Sequence, residues 1–360
     1  MRDAATYAYP WDIVGDPAAP ELLAGLGVDH VSVAAVYHAT RTLTPRHPKH
    51  RVVVAEHTAS YFPIDGVPSP TWTGTSDSFG DSARALAAVA LPTHAWAVVN
   101  HVDPATPNPD HAVVNAYGDR YPWTLCPSNP AVLDYAVGLA RATALRDDIA
   151  GIEFEAAGWY GFDHLHEHDK TAGIPLTEAD HYFLSLCFCR HCHHEYERAD
   201  IDPTELRATV SAILDDTFRG QPARKPLPAL AMRESVADRL RASMVEEVRK
   251  SRPDPDFPVL FHGSPDPSRS IAFTGMNPSA LPQGASGMVV NCWKSAENAA
   301  ATKDTVTYAS VLGVQAMGAE LSHIPETLEH ASGIRIYHAG LASRSDLALI
   351  RDLVTLAHES

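Results

Sequence analysis

The stretch Gly151-Ile152-Glu153-Phe154-Glu155 alternates small or apolar residues with two glutamates in a segment of strand length. Because successive side chains of a β-strand point to opposite faces, Glu153 and Glu155 point the same way. Two carboxylates buried against a layer of helices would be costly. We therefore expect both glutamates to face the interior of a closed sheet, with Glu155 nearer to the carboxyl end of its strand.

Seven further runs of β-branched or aromatic residues, separated by helical patterns, accompany this segment. The eight predicted strands span residues 6–12, 30–38, 94–101, 151–156, 258–263, 287–293, 314–321 and 333–339. Strands that alternate with helices predict a parallel sheet, and eight of them favour closure as a (β/α)8 TIM barrel of the α/β class. A doubly wound open sheet is disfavoured, because no Gly-rich dinucleotide loop follows the first predicted strand.

The longest departure from the regular alternation is the segment 157–253, between the fourth and fifth predicted strands. It contains a His-rich loop, a cysteine cluster and two predicted helices, around 204–218 and 231–250. We interpret residues 1–360 as a single barrel domain and 157–253 as a long helical insertion after strand four.

The composition restricts the partners of the chain. Its 360 residues carry a formal net charge of −16, which disfavours nucleic acid and anionic membranes because both require basic patches. The N-terminus has no apolar signal-like region, and no apolar run approaches a transmembrane length. We therefore predict a cytoplasmic, enzyme-like protein whose partner is a small molecule, with a homo-oligomer left open as its assembly.

Four of the five cysteines form a metal-binding pattern. Cys187, Cys189 and Cys192 follow a C-x-C-x2-C spacing, and Cys126 supplies a fourth sulfur from a distant segment. Four thiolates close a tetrahedral zinc shell, which is typical of a structural site. The alternatives are buried free thiols, a strained disulfide, or a neighbouring histidine in place of Cys126. Cys292 lies in an apolar run and is interpreted as a buried barrel residue.

Reactive groups of such barrels lie at the carboxyl ends of the strands. Glu155 ends the fourth predicted strand and Glu320 lies at the end of the seventh, so we expect them to face each other. Glycoside cleavage needs a protonated carboxyl for the leaving oxygen and an ionised carboxylate that attacks the anomeric carbon or activates water. We assign Glu155 as general acid, Glu320 as nucleophile or base, and Glu153 as a catalytic residue that orients the sugar. Alternatively, Glu153 or Glu320 only completes a polar network, with Glu56 and Asp103 in reserve.

Aromatic and histidine side chains at the strand ends and in the loop 158–170 complete the predicted pocket. Aromatic rings stack on the apolar face of a sugar, and histidines hydrogen-bond to its hydroxyl groups. The predicted substrate-binding residues are Tyr37, His38, His101, Trp159, His164, His166, His262, Trp293 and Tyr337. Two alternatives remain for the loop. It is a solvated polar segment, or it holds a catalytic zinc, because His164, His166 and His168 would share one side of an extended chain.

The cysteine spacing resembles that of a known family. Cys126 followed by the C-x-C-x2-C cluster is similar to the zinc-site cysteines of family forty-two β-galactosidases. This resemblance implies a (β/α)8 hydrolase with an acid/base residue on strand four and a nucleophile on strand seven, here Glu155 and Glu320. The chain departs from that family at Phe154, where the family has asparagine before the glutamate.

A second resemblance covers more of the site. Glu153-Phe154-Glu155, the His-rich loop ending at Lys170 and the run Leu186-Cys187-Phe188-Cys189 look closer to a group of actinobacterial barrel proteins. That group includes glycosidases of antibiotic resistance that remove a terminal deoxysugar from spirotetronates such as lobophorin. The resemblance implies hydrolysis of a glycosylated natural product and does not fix the sugar. We expect structural zinc at the cysteines and no organic cofactor. The alternatives are a metal-dependent hydrolase or isomerase using the His-rich loop, and a non-catalytic barrel that binds a sugar or an antibiotic.

Overall fold

Strands and helices alternate along most of the chain in the computed structural model, which describes residues 2–70, 72, 75–103, 109–163, 169–224 and 226–360. The strands are β1 (Asp3–Ala8), β2 (His30–Tyr37), β3 (Thr40–Leu43), β4 (Val52–Ala55), β5 (Ala59–Ser60), β6 (Thr93–Val98), β7 (Ala112–Val114), β8 (Arg120–Leu125), β9 (Gly151–Glu155), β10 (Val259–Ser264), β11 (Thr274–Gly275), β12 (Gly287–Asn291), β13 (Thr307–Leu312) and β14 (Gly333–Tyr337). The helices are α1 (Pro10–Ile13), α2 (Ala19–Ala24), α3 (Ser78–Ala87), α4 (Pro130–Ala144), α5 (Glu178–Leu184), α6 (Arg190–Arg198), α7 (Pro203–Phe218), α8 (Leu230–Ser251), α9 (Glu297–Ala301), α10 (Ile324–His330) and α11 (Asp346–Glu359). Turns of 3-10 helix span Pro109–His111, Pro278–Ala280 and Gln315–Met317.

Eight parallel strands form a closed barrel. Their order is β1, β14, β13, β12, β10, β9, β6 and β2, and β2 pairs with β1 to complete the circle. In the register of β6 and β9, Trp96 lies opposite Glu153 and Val98 lies opposite Glu155. The predicted (β/α)8 barrel is therefore confirmed.

Apolar side chains bury the strands and the inner faces of the helices. The strand β2 reads HVSVAAVY and is buried along its whole length, as expected where helices cover a parallel sheet. In α4, Val132, Ala136, Leu139 and Ala140 recur at helical spacing, so that one stripe of the helix faces the core. Among the described residues, none of the helices combines the length and the apolarity needed to cross a bilayer.

Seven of the eight predicted barrel strands overlap an observed strand, and one is wrong. The seventh barrel strand is Thr307–Leu312, whereas the sequence predicted 314–321. In the predicted segment a 3-10 turn is followed by Gly318 with a φ of +87°, a left-handed conformation that interrupts a strand. The first strand ends at Ala8, because Pro10 begins a helix that contains Asp12.

In the described part of the chain between β9 and β10 lie four helices, α5 to α8. The helices predicted around 204–218 and 231–250 are confirmed as α7 and α8. The Asp202 carboxylate accepts hydrogen bonds from the N–H groups of Thr204 and Glu205, so it caps the start of α7. The helix α6 begins directly after Cys189, which places the cysteine cluster at its first turn.

Candidate active site

A cavity of about 1050 Å³ opens at the carboxyl ends of the barrel strands. Tyr37, Glu155 and Tyr337, the last residues of β2, β9 and β14, all line it. Reactive groups of (β/α)8 barrels sit at this end of the sheet. The cavity is therefore the candidate active site.

Six of the predicted substrate-binding side chains line this cavity: Tyr37, His38, His101, His262, Trp293 and Tyr337. Trp159, which was also predicted to bind substrate, does not line the cavity. Its indole N–H donates to the Arg233 carbonyl oxygen (2.7 Å), and the Arg233 guanidinium lies 4.8 Å from its ring centre, within a core shared with the cysteines. The predicted His164 and His166, and His168 of the alternative zinc site, lie outside the described residues.

Four aromatic residues of the cavity wall were not predicted from the sequence: Tyr7, Tyr9, Trp96 and Phe273. Tyr7 and Tyr9 alternate along the first predicted strand, and this period-two spacing was the signal that could have identified them. Trp96 lies in the third predicted strand without a polar neighbour beside it, so no local pattern marked it.

Glu155 is a buried carboxyl group that faces the cavity. Its side chain accepts a hydrogen bond from the Trp96 indole N–H (2.8 Å), and His262 Nδ1 lies 3.5 Å from the same oxygen. Burial raises the pKa of Glu155, and the nearby Glu153 charge adds to this rise, while His262 and Trp96 oppose it. Such a group retains a proton to a higher pH than an ordinary glutamate.

Glu153 lies beneath the cavity and is fully buried. Its carboxylate accepts hydrogen bonds from the Tyr7 hydroxyl (2.8 Å), the Ser32 hydroxyl (2.8 Å) and the Arg335 Nε (3.0 Å). Burial alone would raise the pKa of Glu153, but the Arg335 charge and hydrogen bonds from histidines hold it well below its usual range. Glu153 is therefore ionised, and its oxygens are occupied by neighbouring side chains.

His262 lies between the two glutamates. Its Nε2 is 3.2 Å from Glu153 Oε2, its Nδ1 is 3.5 Å from Glu155 Oε2, and its ring stacks on Phe273 at 5.3 Å. Two carboxyl groups with opposite protonation tendencies are thus linked through one imidazole. This separation of pKa values is what acid–base catalysis by paired carboxylates requires.

His30 and His94 lie on the other side of Glu153, away from the cavity mouth. The two rings stack at 3.7 Å, and a nitrogen of each lies 3.9 Å from Glu153 Oε1. Two histidines and a carboxylate are a metal-ligand set, but Arg335 and Ser32 already donate to the same Glu153 oxygen. A cation there would meet the Arg335 guanidinium, so the cluster fits a charge network better than a metal site.

Glu320 does not lie where the sequence predicted it. It is exposed, eight residues beyond the end of β13, and it does not line the cavity. Because the seventh strand ends at Leu312, the predicted arrangement of Glu320 facing Glu155 from a strand end is corrected. Of the residues that the structure describes, the carboxylates that line the cavity with Glu155 are Asp163 and Asp346.

These two aspartates differ in how they are held. Asp346 accepts hydrogen bonds from the Gln315 N–H (3.0 Å) and the Ser343 N–H (2.9 Å), so both of its oxygens serve the local backbone. Asp163 lies 2.9 Å from His181 Nδ1 and 3.9 Å from Arg269 Nη1, and its side chain is 21% exposed. Asp163 therefore keeps access to the cavity beside two basic groups.

The reserve candidates lie outside the cavity lining. Asp103 accepts hydrogen bonds from the Ala39 N–H and from the Thr58 hydroxyl (3.0 Å), so it braces the chain that follows β2. Glu56 is exposed.

Tyrosine hydroxyl groups give the cavity a neutral polar wall. The Tyr9 hydroxyl donates to that of Tyr37 at 3.1 Å, and burial raises the pKa values of both groups well above the usual range. The Trp96 ring lies 4.8 Å from Tyr37 and 4.9 Å from Tyr7. Aromatic faces beside hydroxyl donors suit a ligand with both apolar and hydroxyl-bearing faces, such as a sugar ring.

The four predicted cysteine ligands converge at one point outside the cavity. All four sulfurs lie within 4.8 Å of one another, and none forms a disulfide. Cys126 Sγ is 3.6 Å from Cys189 Sγ and 3.5 Å from Cys192 Sγ, close to the spacing of about 3.8 Å that Zn–S bonds of about 2.3 Å give in a tetrahedron. The Val114 N–H donates to Cys187 Sγ (3.4 Å), and hydrogen bonds of this kind orient the ligands at metal sites. The cluster could bind a metal ion, whereas Cys292 is buried elsewhere.

Comparison of the fold with solved structures returns glycoside hydrolase barrels. One is the PgaB (BpsB) glycoside hydrolase domain from Bordetella bronchiseptica (TM-score 0.61, 14% identity, 98% of this chain and 99% of that one). A second is α-L-fucosidase isoenzyme 2 from Paenibacillus thiaminolyticus (TM-score 0.59, 12% identity, 99% of this chain and 49% of that one). A third is the catalytic domain of β-amylase from Paenibacillus polymyxa (TM-score 0.58, 10% identity, 99% of this chain and 98% of that one). The shared feature is the fold.

These identities are too low to carry more than the fold. The chain spans about half the length of the fucosidase, and no protein-family model and no curated protein matches its sequence. The resemblance to family forty-two β-galactosidases and to the actinobacterial glycosidases therefore rests on the quoted motifs alone. The residues that line the cavity are therefore the evidence that bears on activity.

Proposed function

We propose that this protein is a glycoside hydrolase in which Glu155 is the general acid. The observation that carries the proposal is the environment of Glu155, a buried carboxyl with a raised pKa on the wall of a large cavity. A carboxyl whose pKa is raised keeps its proton to a higher pH than an ordinary glutamate, and a protonated carboxyl can deliver that proton to a leaving oxygen. Glu153, ionised 3.2 Å from His262, orients the imidazole that faces Glu155 and acts as a positioning residue.

We propose Asp163 as the ionised partner of Glu155, in place of Glu320. Asp163 lines the same cavity, and its carboxylate oxygens lie 2.9 Å from His181 Nδ1 and 3.9 Å from Arg269 Nη1. In the reaction, the Glu155 proton passes to the glycosidic oxygen as its bond to the anomeric carbon breaks. In the same step Asp163 takes a proton from the water that attacks the anomeric carbon, or it attacks that carbon itself and forms a glycosyl ester. Water, deprotonated by the now ionised Glu155, hydrolyses this ester, releases the sugar and restores both carboxyl groups.

We propose a terminal sugar on a small natural product as the substrate, with a deoxysugar as the favoured group. The cavity volume of about 1050 Å³ lies at the upper end of the range for whole drug-sized ligands, so it has room for more than one sugar ring. Its walls combine aromatic rings with few charged groups. A deoxysugar, which offers a larger apolar face than a fully hydroxylated sugar, fits such walls.

We propose that Cys126, Cys187, Cys189 and Cys192 hold a structural zinc ion. The sulfur spacing and the absence of disulfides among these four support this assignment. The ion would tie α6 to the chain that precedes α4. It would have no open position for substrate, so it takes no part in bond cleavage.

The test of the proposed function is a product screen with matched variants. Wild-type protein is incubated with glycosylated macrolides and spirotetronates, and released sugar and aglycone are identified by mass spectrometry. Glu155→Gln should lower kcat by about 10²–10⁴-fold, the usual contribution of a general acid, and Asp163→Asn should also be strongly impaired.

Glu320→Gln separates the two assignments of the second carboxylate. It should keep wild-type activity, because Glu320 is exposed outside the cavity. Full activity in Glu155→Gln would contradict the proposed function. Loss of activity in Glu320→Gln with an active Asp163→Asn would restore the assignment made from the sequence.

A further inference from the structure

The hairpin β3–β4 presents an aliphatic face to solvent. In its antiparallel register Leu43 pairs with Val52 and Arg41 pairs with Val54, so these four side chains share one face. Leu43 is 65% exposed, Val52 62% and Val54 47%, although apolar side chains of a hairpin are usually turned inward. We name this set, Arg41, Leu43, Val52 and Val54, the hairpin face.

The hairpin face is continuous with the cavity. Arg41 and Leu43 belong to it and also line the cavity, together with Pro45 in the turn that follows. The 3-10 turn after β13 also contributes Met317, a cavity-lining side chain that is 39% exposed. The lining of the cavity thus includes exposed aliphatic groups from two separate segments.

The floor and the mouth of the cavity differ in chemistry. Glu155, His262 and the tyrosine hydroxyls lie at the floor, where the barrel strands end. The mouth offers Leu43 and Met317, and the aliphatic stem of Arg41 extends the same surface. A ligand that fits both ends has a polar ring inside and an apolar group outside.

We infer that the hairpin face and Met317 form a subsite for the apolar aglycone of the substrate. The inference rests on the proposed function, because it orders the two parts of a glycoside along one cavity: sugar at the floor, aglycone at the mouth. It narrows the substrate class to glycosides whose leaving group is a sizeable apolar alcohol. Glycosides of small polar alcohols would leave this surface in contact with water.

Other occupants of the hairpin face are less well supported. Three aliphatic residues and one arginine fall far short of the 20–30 residues that each partner contributes to a stable protein interface. A net charge of −16 opposes adsorption to an anionic membrane. The continuity with the cavity instead favours a ligand that already occupies it.

The experiment compares the methyl and octyl glycosides of the sugar that wild-type protein releases in the screen described above, with the octyl compound below its micelle concentration. Wild-type kcat/KM should be at least about tenfold higher for the octyl glycoside. Leu43→Ser should remove about tenfold of that preference, mainly by raising KM for the octyl glycoside, since partial loss of a buried leucine contact is of this order. Val54→Thr is a second, milder variant of the same face.

Leu145→Ser is the matched control, because Leu145 is 62% exposed at the end of α4 and does not line the cavity. Equal use of both glycosides by wild-type protein, or equal effects of Leu43→Ser and Leu145→Ser, would overturn the inference while the proposed function stands. Failure of wild-type protein to cleave any glycoside would instead contradict the proposed function. Leu43-dependent dimerisation in sedimentation, or Leu43-dependent binding to phosphatidylcholine vesicles, without an aglycone effect would assign the face to that partner and overturn the subsite.

Discussion

Glu153 and Glu155 are two residues apart on one strand and point into the same lumen, but their neighbours differ. Glu153 meets a guanidinium, two hydroxyls and an imidazole, whereas Glu155 meets one indole N–H and a more distant imidazole nitrogen. Burial away from water raises the pKa of both carboxyl groups. Only Glu153 has enough positive charge and enough donors to overcome this effect, so the pKa of Glu153 is lowered while that of Glu155 is raised.

The indole of Trp96 is a specific test of how the Glu155 pKa is set. Its hydrogen bond favours the ionised carboxylate and so opposes the rise caused by burial. Trp96→Phe should therefore raise the pKa further. Because a general acid is active when protonated, the alkaline limb of the kcat/KM profile should move to higher pH.

Trp293→Phe is the control for this shift. Trp293 also lines the cavity, but its indole N–H donates to the Ser310 hydroxyl (3.0 Å) and not to a carboxylate. Its loss should change KM without moving the alkaline limb. A shift of the limb to lower pH in Trp96→Phe would contradict the role assigned to Glu155.

At the scale of elements, the cysteine cluster joins segments that are far apart in sequence. Cys126 follows β8, and the other three cysteines surround the start of α6. The Thr124 hydroxyl, two residues before Cys126, donates to the Tyr160 carbonyl oxygen (2.9 Å), and Thr124 bridges to the cavity residue His101. Thr124 therefore connects the cysteine cluster to one wall of the cavity.

Purified protein should contain about one zinc ion per chain, measured by plasma mass spectrometry. Cys189→Ser, or removal of the metal by a strong chelator, should lower the melting temperature by about 5–10 °C, since each kcal/mol lost moves it by roughly 2–4 °C in chains of this size. Cys292→Ser should retain the metal, because Cys292 lies outside the cluster. Metal-free protein of unchanged stability would contradict the zinc assignment.

The elements that the sequence predicted well are those whose residues repeat with a clear period. The strand around Glu153 and the helices α7 and α8 are of this kind. The seventh strand was misplaced because the apolar run 314–321 resembles a strand as well as Thr307–Leu312 does, and only the left-handed Gly318 distinguishes them. That shift also removed Glu320 from the site.

The site was predicted in part for a related reason. Glu155 and the four cysteines are marked by local alternation and spacing, which a sequence displays directly. The partners of Glu155 are not, because Trp96 and His262 reach it from β6 and β10 through the register of the barrel. Contacts of this kind depend on how strands align across the closed sheet, and no single segment encodes that alignment.

At the scale of the whole molecule, Glu153 connects side chains from around the barrel. Tyr7 belongs to β1, Ser32 to β2, His262 to β10 and Arg335 to β14, and all of them contact its carboxylate. Such a buried network stabilises the fold only while its charges remain paired. The stability of the barrel should therefore depend on pH.

His94 provides the measurable part of that dependence. Burial lowers its pKa from 6.5 to about 4, so it stays neutral in the folded chain at pH values where the unfolded chain binds a proton. The unfolded state then gains protons as pH falls from 6.5 to 4, and the free energy of unfolding should drop by up to about 3 kcal/mol. Glu153, with its lowered pKa, acts in the same direction at pH values below about 4.3, the usual pKa of an unfolded glutamate.

Denaturant unfolding at several pH values would test this expectation. In His94→Gln the free energy of unfolding should fall less steeply between pH 6.5 and 4 than in wild type, although its value at pH 7 can differ from that of wild type. His194→Gln should retain the wild-type slope, because the His194 side chain is 75% exposed. Identical slopes in wild type and His94→Gln would exclude His94 as the source.

The hairpin β3–β4 forms a small sheet of its own and shares no ladder with the barrel strands. Changes in its length or sequence would therefore leave the barrel register intact. With the proposed aglycone subsite on this hairpin, residues 40–55 are a segment in which selection could change the accepted leaving group at little cost in folding. An exchange of this hairpin between two such proteins should transfer preference for the aglycone and leave the preferred sugar as it was.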